Sequence, residues 1–315
     1  MKWLLLVLGC LMSLQAAATL NDGIKAFNKK KYDLALVEFK PLASIGNADA
    51  RYYLGLMQKE GLGMPKDPGR AIGWFKKAAT QGNLDARYQL GMMYLQGDGV
   101  SIDLKQAISD LESAAGKGHE QAALELGMIY WQGKLVEQDR TQAIKWFEQA
   151  ATQGNRIAQF HIASAYYQGE GVAQDFAKAA DFYQQAATAG HAEAQYFLAN
   201  MYFTGQQLPQ DFAAALSWFD QSARQGNMKA QYMVGYIFYN GYGQEKDPAK
   251  AFEWFLKAAQ QGYDEAQLIV GYMYFAGEGV QKDAALAEDW LKKSTLQGNQ
   301  KAQKTLADIQ RANKK

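Results

Sequence analysis

Cysteine and histidine are scarce in this chain. One cysteine, Cys10, and three histidines occur among 315 residues. Because Cys10 lies close to the start, the rest of the chain offers no thiol for a disulfide, a covalent nucleophile or a cysteine-ligated metal. The other residues form no metal-ligand cluster and no phosphate-binding loop in the sequence. We therefore expect neither a metal site nor a cofactor.

An excess of charge of one sign is also lacking. The chain has 33 lysines and arginines against 32 aspartates and glutamates, a net charge of +1. Nucleic-acid-binding domains carry a basic surface, and the only basic cluster that stands out here is Asn28 to Lys31. We therefore expect no nucleic-acid partner.

Long apolar runs are absent apart from Leu4 to Leu14, which follows a single lysine. This run is too short to span a bilayer comfortably, and Ala16 to Ala18 supply the small residues that signal peptidase requires. We predict a secretory signal peptide over residues 1–18 and a periplasmic or secreted mature protein without an integral membrane segment. Because a glycine precedes Cys10, a lipoprotein box is the alternative.

Glycine, by contrast, is abundant, and its spacing reveals a repeat. The dipeptide Gln-Gly recurs, and its glycine belongs to a series spaced 36 residues apart. The series is Gly46, Gly82, Gly118, Gly154, Gly190, Gly226, Gly262 and Gly298. A period kept without insertion along most of a chain indicates a repeat architecture.

Each unit of 36 residues is typical of two helices. The segment from Asn83 to Gln96 carries Ala86, Leu90 and Met93 at helical spacing, and the segment from Arg140 to Gln153 repeats that pattern. Alanine, glutamine and lysine are plentiful in both kinds of segment and β-branched residues are sparse, which favours helix over strand.

The stretch "GEGVAQD", Gly169 to Asp175, joins the two helices of one unit. Its first glycine and its final aspartate occur in all seven copies, whereas the second residue varies widely. A turn accepts that variation better than a metal or phosphate site would. We predict that the glycine is the left-handed residue after the first helix and that the aspartate caps the second. Calcium binding at Glu170 and Asp175 is the less favoured alternative, since the loop lacks EF-hand spacing.

Two further glycine positions accept other residues in some copies. Leu135 and Gln207 replace the third residue of the connector, so we interpret its glycine as a preference only. Inside the first helix, Ala163 and Ala199 replace the glycine. This replacement predicts that the helix position requires a small side chain and not a positive φ.

The repeated pattern of Leu-Gly, Tyr, Gly-x-Gly-Val, Asp, Lys-Ala, Trp-Phe and Ala-Ala-x-Gln-Gly resembles the Sel-one-like repeat (SLR), a relative of the tetratricopeptide repeat. Ala230 to Gly262 and Ala266 to Gly298 match it well. Departures are local, because Asp110 and Phe182 stand in place of the usual tryptophan.

The resemblance implies an all-α fold, an α/α solenoid of seven helix-turn-helix repeats over residues 47–298, which we expect to wind as a right-handed superhelix. Because the ends of a solenoid would expose apolar repeat faces, we predict an N-terminal capping helix pair over 19–46 and a C-terminal capping helix over 299–315. The resemblance further implies a scaffold that binds a protein or peptide in a concave groove. We expect a monomer.

No residues point clearly to catalysis. His119 and His191 share one repeat position just after a helix-ending glycine, which indicates a cap or surface role. His161 and Ser164 lie near each other on a helix without a third partner, so we interpret the pair as incidental. A cysteine-rich branch of the family has been associated with β-lactam binding, but it carries a disulfide in each repeat. We predict a protein that is not an enzyme, with a cell-wall or β-lactam-related hydrolase as the remotest alternative.

One face of each first helix points away from the predicted core, at the positions of Tyr88, Met92 and Leu95. We interpret the Tyr88 and Leu95 series as partly inter-repeat core, and the Met92 series, whose polarity varies along the chain, as groove. The candidate binding residues are Met92, Met128, Ser164, Asn200, Tyr232, Tyr236, Tyr239, Tyr272 and Phe275. We expect the Tyr236 and Tyr272 rings to lie side by side. Tyrosine and methionine suit peptide binding, but aromatic rows also stack on sugars, so peptidoglycan is the alternative partner.

Overall fold

The computed structural model describes residues 20–206 and 208–312, and the regular structure of these residues is entirely α-helical. The predicted signal peptide over 1–18, with Cys10, lies outside the described residues. So do Gln207 and the last three residues of the predicted C-terminal cap, 313–315.

Helix α1 covers residues 20–28, and the later helices come in pairs that follow the repeat. They are α2 (Tyr32–Ser44), α3 (Ala48–Glu60), α4 (Pro68–Thr80), α5 (Leu84–Gln96), α6 (Leu104–Ala115), α7 (Glu120–Gln132), α8 (Arg140–Ala151), α9 (Arg156–Gln168), α10 (Phe176–Thr188), α11 (Ala192–Thr204), α12 (Phe212–Arg224), α13 (Met228–Asn240), α14 (Pro248–Gln260), α15 (Asp264–Ala276), α16 (Ala284–Leu296) and α17 (Gln300–Ala312). In each repeat the odd-numbered helix from α3 to α15 is the first helix and the next one is the second.

The helices form two compact units. Unit 1 ends at Gln153 and contains α1 to α8, whereas unit 2 begins at Gly154 and contains α9 to α17. Within each unit, every helix from α2 onward packs against the next one along the chain. Each unit therefore buries its apolar surface through contacts between sequence neighbours, as repeat proteins do.

Polar side chains cap both helices of the repeat, and the predicted aspartate cap of the second helix is confirmed. The Asp175 carboxylate accepts a hydrogen bond from the Lys178 backbone N–H (3.0 Å), and the Asn83 amide oxygen accepts one from the Ala86 N–H (2.7 Å). His119 takes the place of that asparagine and accepts the Ala122 N–H through Nδ1 (3.0 Å). The cap role predicted for His119 is therefore confirmed, and these bonds satisfy backbone donors that a helix start leaves free.

The connector glycines behave in two ways. Gly169 ends α9 with a φ of 74°, so its prediction as a left-handed cap is confirmed. Gly171, the third residue of the connector, also has a positive φ (75°). The interpretation that glycine is only a preference at the third position is therefore wrong for this connector. Among residues 20–206 and 208–312, Lys30 is the one non-glycine with a positive φ. Leu135, at the third connector position, therefore has a negative φ, and its connector follows a different backbone path.

The third connector glycine also lies against the preceding repeat. A Cβ atom added at Gly279 would overlap the Pro248 carbonyl oxygen, and one added at Gly243 would lie 2.7 Å from Phe212 Cβ. Pro248 and Phe212 are the first residues of second helices. The connector of one repeat therefore packs on the start of the second helix before it.

We expect Gly279→Ala to destabilise the protein more than Gly277→Ala, a matched change in the same connector. Both glycines have a positive φ, 69° and 75°, and a left-handed residue with a Cβ costs roughly 1–2 kcal/mol. Only Gly279→Ala also brings a Cβ atom into collision with backbone atoms of Pro248. Overpacking of this kind adds about 1–3 kcal/mol to the loss of stability. Urea unfolding of the two variants measures the difference. Equal losses would show that the connector moves away at little cost.

The core of five of the seven repeats joins a buried ring to a small residue. The buried rings lie in second helices and are Phe75, Phe147, Tyr183, Phe219 and Phe255, whereas Leu111 and Leu291 take this position in the other two repeats. A Cβ at Gly235 would lie 2.8 Å from the Phe255 ring, and Ala163 and Ala199 are fully buried where the glycine is replaced. The predicted requirement for a small residue in the first helix is confirmed, because the aromatic ring occupies the space of a larger side chain.

A ladder of buried glutamines links the repeats of unit 2. Gln231 donates from Nε2 to the Ala223 carbonyl at the end of α12 (3.1 Å) and accepts through Oε1 from Gln261 Nε2 (2.8 Å). Gln195 and Gln267 make the equivalent pairs of bonds. The ladder gives each of these helix-terminal carbonyls a second donor, beside the backbone N–H of the glycine that follows the helix. The glutamine of the recurring Gln-Gly dipeptide therefore donates a hydrogen bond to the buried glutamine of the first helix, as Gln261 does to Gln231.

Candidate functional site

The candidate residues divide between the two units. Met92 and Met128 belong to unit 1, and the others belong to unit 2. Tyr272 is 46% exposed and the other eight candidates are half-buried. In the Tyr88 series Leu124 is buried and the remaining members are half-buried, consistent with the partial core role assigned to that series.

Tyr236 lies in a cluster of aromatic rings that sequence reasoning only partly identified. Its ring centroid lies 5.7 Å from that of Tyr242 and 6.3 Å from those of Phe203 and Tyr232. Tyr242 in turn lies 5.3 Å from Phe212. We call these residues, Phe203, Phe212, Tyr232, Tyr236 and Tyr242, the Tyr236 cluster.

The expectation that Tyr236 and Tyr272 lie side by side is not matched by a ring contact between them within residues 20–206 and 208–312. The Tyr236 ring contacts Phe203 of the preceding repeat and Tyr232 and Tyr242 of its own repeat. Tyr242, a connector residue, contacts both Phe203 and Tyr236. A hydrogen bond to Tyr242 is also the main cause of the raised pKa of Tyr236.

Tyr272 stands beside a second polar arrangement at the last connector. The Tyr239 hydroxyl donates to Glu278 Oε2 at 2.9 Å. Burial, followed by this hydrogen bond, raises the pKa of Tyr239 to about 12, so the hydroxyl stays protonated near neutral pH. Lys282 Nζ lies 5.3 Å from the centroid of the Phe275 ring. The exposed Tyr272 lies near enough to Tyr239 to contribute to the raised pKa of that hydroxyl.

Tyr242 and Glu278 were missed because both occupy the second position of the connector. The wide variation at this position suggested a turn without a further role. In unit 2, however, these two side chains reach the first-helix face of the preceding repeat. Several connector positions vary between the constant glycine and aspartate, so the sequence held no signal that singled out the second one.

Asn200 lines a cavity of about 240 Å³ in unit 2. Its other lining residues are Tyr167, Tyr196, Phe197, Met201, Thr204 and Gln206. The Asn200 Nδ2 donates to the Tyr196 carbonyl at 3.2 Å, which orients the amide. Ser164 takes no part in this lining, and its hydroxyl pairs with the Tyr183 hydroxyl at 3.1 Å.

Tyr232 lines a larger cavity of about 490 Å³ as well as belonging to the Tyr236 cluster. Glu265 and Lys301 give that cavity groups of opposite charge. A hydrogen bond to Asp264, followed by burial, raises the pKa of Glu265. The cavity therefore offers hydrogen-bonding groups without a strong net charge.

In the part of the chain that the structure describes, no group of three or more histidine, cysteine, aspartate or glutamate side chains is arranged to hold a metal ion. None of the helices within 20–206 and 208–312 combines the length and the apolar character needed to cross a membrane.

Solved structures include close relatives of this chain. A protective antigen of uropathogenic Escherichia coli with an SLR fold is 36% identical, with a TM-score of 0.88 over 93% of this chain and 64% of that one. The chain thus spans less than two thirds of that antigen. A Sel1 repeat protein from Oxalobacter formigenes is 32% identical, with a TM-score of 0.70 over 95% of this chain and 90% of that one. No curated protein matches the chain.

The model of the Sel1 repeat matches the chain seven times, over residues 48–83, 84–119, 120–155, 156–191, 192–227, 229–263 and 264–299. These matches and the two related structures confirm the all-α solenoid fold class and the resemblance drawn from the repeated pattern. The chain belongs to the Sel1 repeat family.

Proposed function

We propose that this chain is an exported, non-catalytic scaffold that binds a protein or peptide through the first-helix surface of unit 2. Sel1 repeat proteins generally mediate protein–protein interactions. The observation that carries the proposal is the Tyr272 side chain, which is 46% exposed beside the Tyr239–Glu278 hydrogen bond. A large ring left open to solvent next to oriented polar groups is the usual form of an interface anchor.

The surroundings of Tyr272 favour binding by a preorganised surface. The rings of the Tyr236 cluster contact one another without any partner, so little side-chain freedom remains to be lost on association. The Tyr239 hydroxyl donates its proton to Glu278 and keeps a lone pair that can accept a hydrogen bond from a peptide N–H. Polypeptide chains present both apolar side chains and backbone amides, which match this combination.

A selection experiment tests the proposal. Residues 19–315 are immobilised and used to select peptides from a random library displayed on phage, and the affinities of the enriched peptides are measured in solution. We expect enriched peptides that bind the folded protein saturably and compete with one another for one surface. Failure to enrich any such peptide, with the protein shown to be folded by circular dichroism, would count against peptide binding.

Glycan binding is the second candidate, because the Asn200 cavity has suitable chemistry. Tyr167 and Tyr196 offer rings, and Asn200 offers an amide already oriented by its bond to Tyr196. Sedimentation with purified peptidoglycan sacculi separates this candidate from the first. Binding to sacculi that Asn200→Ala abolishes would favour the glycan, whereas protein that stays in the supernatant would favour the peptide.

Export of the chain is part of this function. Intact mass spectrometry of the protein recovered from an exported fraction should give a chain that starts at Thr19, because cleavage is expected after Ala18. The control is the same measurement on an Ala18→Arg variant, which should not be processed there. A lipid-modified chain that starts at Cys10 would contradict this prediction and support the lipoprotein alternative.

A further inference from the structure

One position in the second helix of the repeat holds tryptophan in five of the seven copies. Tryptophans of different repeats pack in equivalent environments. The series is Trp74, Asp110, Trp146, Phe182, Trp218, Trp254 and Trp290. Trp218 packs on a buried cluster that contains Ala187 and Leu198, and Trp290 packs on one that contains Ala259 and Val270. The indole of one repeat therefore packs on a cluster that contains an alanine of the repeat before it and an aliphatic residue of the first helix of its own repeat.

Asp110 occupies the tryptophan position in one repeat of unit 1, and its short side chain does not fill the space of an indole ring. A cavity of about 260 Å³ lies between Asp110 and the equivalent alanine and aliphatic residue, Ala79 and Leu90. Lys76, Thr80, Arg87, Tyr94 and Gln106 complete its lining. Trp74, one repeat earlier, covers the corresponding Ala43 and Leu54. The cavity is thus located where the other repeats place an indole ring.

The polar groups of the cavity are fixed in position. Asp110 is only 6% exposed, and its carboxylate accepts from Gln106 Nε2 (2.9 Å) and Arg87 Nη1 (3.5 Å). Arg87 also donates from Nη2 to the Ala79 carbonyl (3.2 Å), and Lys76 Nζ lies 5.7 Å from the centroid of the Tyr94 ring. A buried carboxylate, an aliphatic wall and two cations therefore surround one space.

We propose that this cavity binds an indole-type ligand, a planar aromatic ring that carries an N–H donor. The apolar wall formed by Ala79 and Leu90 is the one on which this fold places indole rings in other repeats, and the polar residues opposite can pair with a ring N–H. The Asp110 carboxylate retains lone pairs for the ring N–H, Leu90 and Ala79 contact a ring face, and the lysine and arginine provide cation–π contacts. The ligand comes either from a tryptophan side chain of another polypeptide or from a free indole compound.

Binding can be tested with indole and N-acetyl-L-tryptophanamide titrated into residues 19–315, followed by amide NMR shifts. We expect saturable shifts at Ala79, Thr80 and Leu90, with little change at the equivalent Ala187 and Leu198, where Trp218 fills the space. Removal of the N–H in 1-methylindole should weaken binding about tenfold, the approximate value of a hydrogen bond to a charged acceptor.

Matched variants complete the test. Asp110→Trp fills the cavity with the residue of the other repeats and should abolish the shifts, whereas Phe182→Trp, a similar change in unit 2, should leave them intact. Binding of both probes identifies a polypeptide side chain as the source, and binding of indole alone identifies a free compound. Shifts that do not saturate, or that persist in Asp110→Trp, would overturn the proposal. If Asp110→Trp does not fold, the 1-methylindole comparison and the shift map decide the question.

Discussion

Replacing Gln231 with leucine is expected to lower the free energy of unfolding by about 1–3 kcal/mol, since it removes two hydrogen bonds of about 0.5–1.5 kcal/mol each. The substitution removes one of two donors to the buried Ala223 carbonyl, which keeps the Gly226 backbone N–H (3.0 Å), and it removes the acceptor for Gln261 Nε2. Gln261 is exposed and regains water, so most of the loss comes from the buried bond to the carbonyl. Leucine has a similar volume, which keeps any packing loss small.

Two variants control for the chemistry of this position. Arginine occupies it in the first two repeats, where Arg51 donates to the Ala43 carbonyl (3.1 Å) and Arg87 to that of Ala79 (3.2 Å). We therefore expect Gln231→Arg to retain much of the stability that Gln231→Leu loses. Gln261→Leu, at the exposed partner, should cost about 1 kcal/mol or less.

Urea unfolding followed by circular dichroism measures all three variants. The transitions should be fitted with a model that lets repeats unfold separately, because neighbouring repeats are only locally coupled. A Gln231→Leu protein as stable as the wild type would mean that the Gly226 N–H alone satisfies the Ala223 carbonyl. Equal losses for leucine and arginine would mean that packing, and not the hydrogen bond, determines stability here.

The helix ends were predictable because their signals are local. Gly169 and Asp175 act on backbone groups within a few residues of themselves, and their repetition in every copy identified them. The glutamine ladder was not predictable in the same way. The Gln-Gly dipeptide was visible, but its partner, such as Gln231 for Gln261, lies 30 residues away and is recognised only once the helices are packed.

The third connector position shows how comparison among repeats can mislead. Leu135 at this position suggested that Gly171 has no special conformation, yet Gly171 has a φ of 75°. The inference assumed that all copies share one backbone path. A substitution can instead change the path of its own loop, so tolerance in one copy does not measure the requirement in another.

The candidate surface was predictable in its location on the first helices but not in its detail. Helical periodicity placed Tyr236 and Tyr272 on one face. The Tyr236 ring contacts Tyr242, which belongs to a connector and not to that face. Ring orientation of this kind results from tertiary contacts, and sequence spacing alone carries no information about it.

Replacing Tyr272 with serine is expected to weaken binding of a library-selected peptide about 30-fold or more, since truncation at an interface hot spot costs about 2 kcal/mol or more. Because Tyr272 is 46% exposed, the melting temperature should stay close to that of the wild type. Tyr236→Ser removes three ring contacts and should lower stability as well as affinity, since aromatic pairs contribute about 0.5–1.5 kcal/mol. The double variant should combine both losses.

Affinity by calorimetry and stability by circular dichroism separate binding from folding in this series. Tyr166→Ser is the matched control, because Tyr166 stacks on Phe182 at 6.1 Å within unit 2 and lies outside the candidate surface. Its peptide affinity should equal that of the wild type even if its stability falls. A large drop in melting temperature for Tyr272→Ser would identify the ring as core. A folded Tyr272→Ser protein with unchanged affinity would place the peptide elsewhere, and the half-buried Met92 and Met128 of unit 1 would then be the residues to replace next.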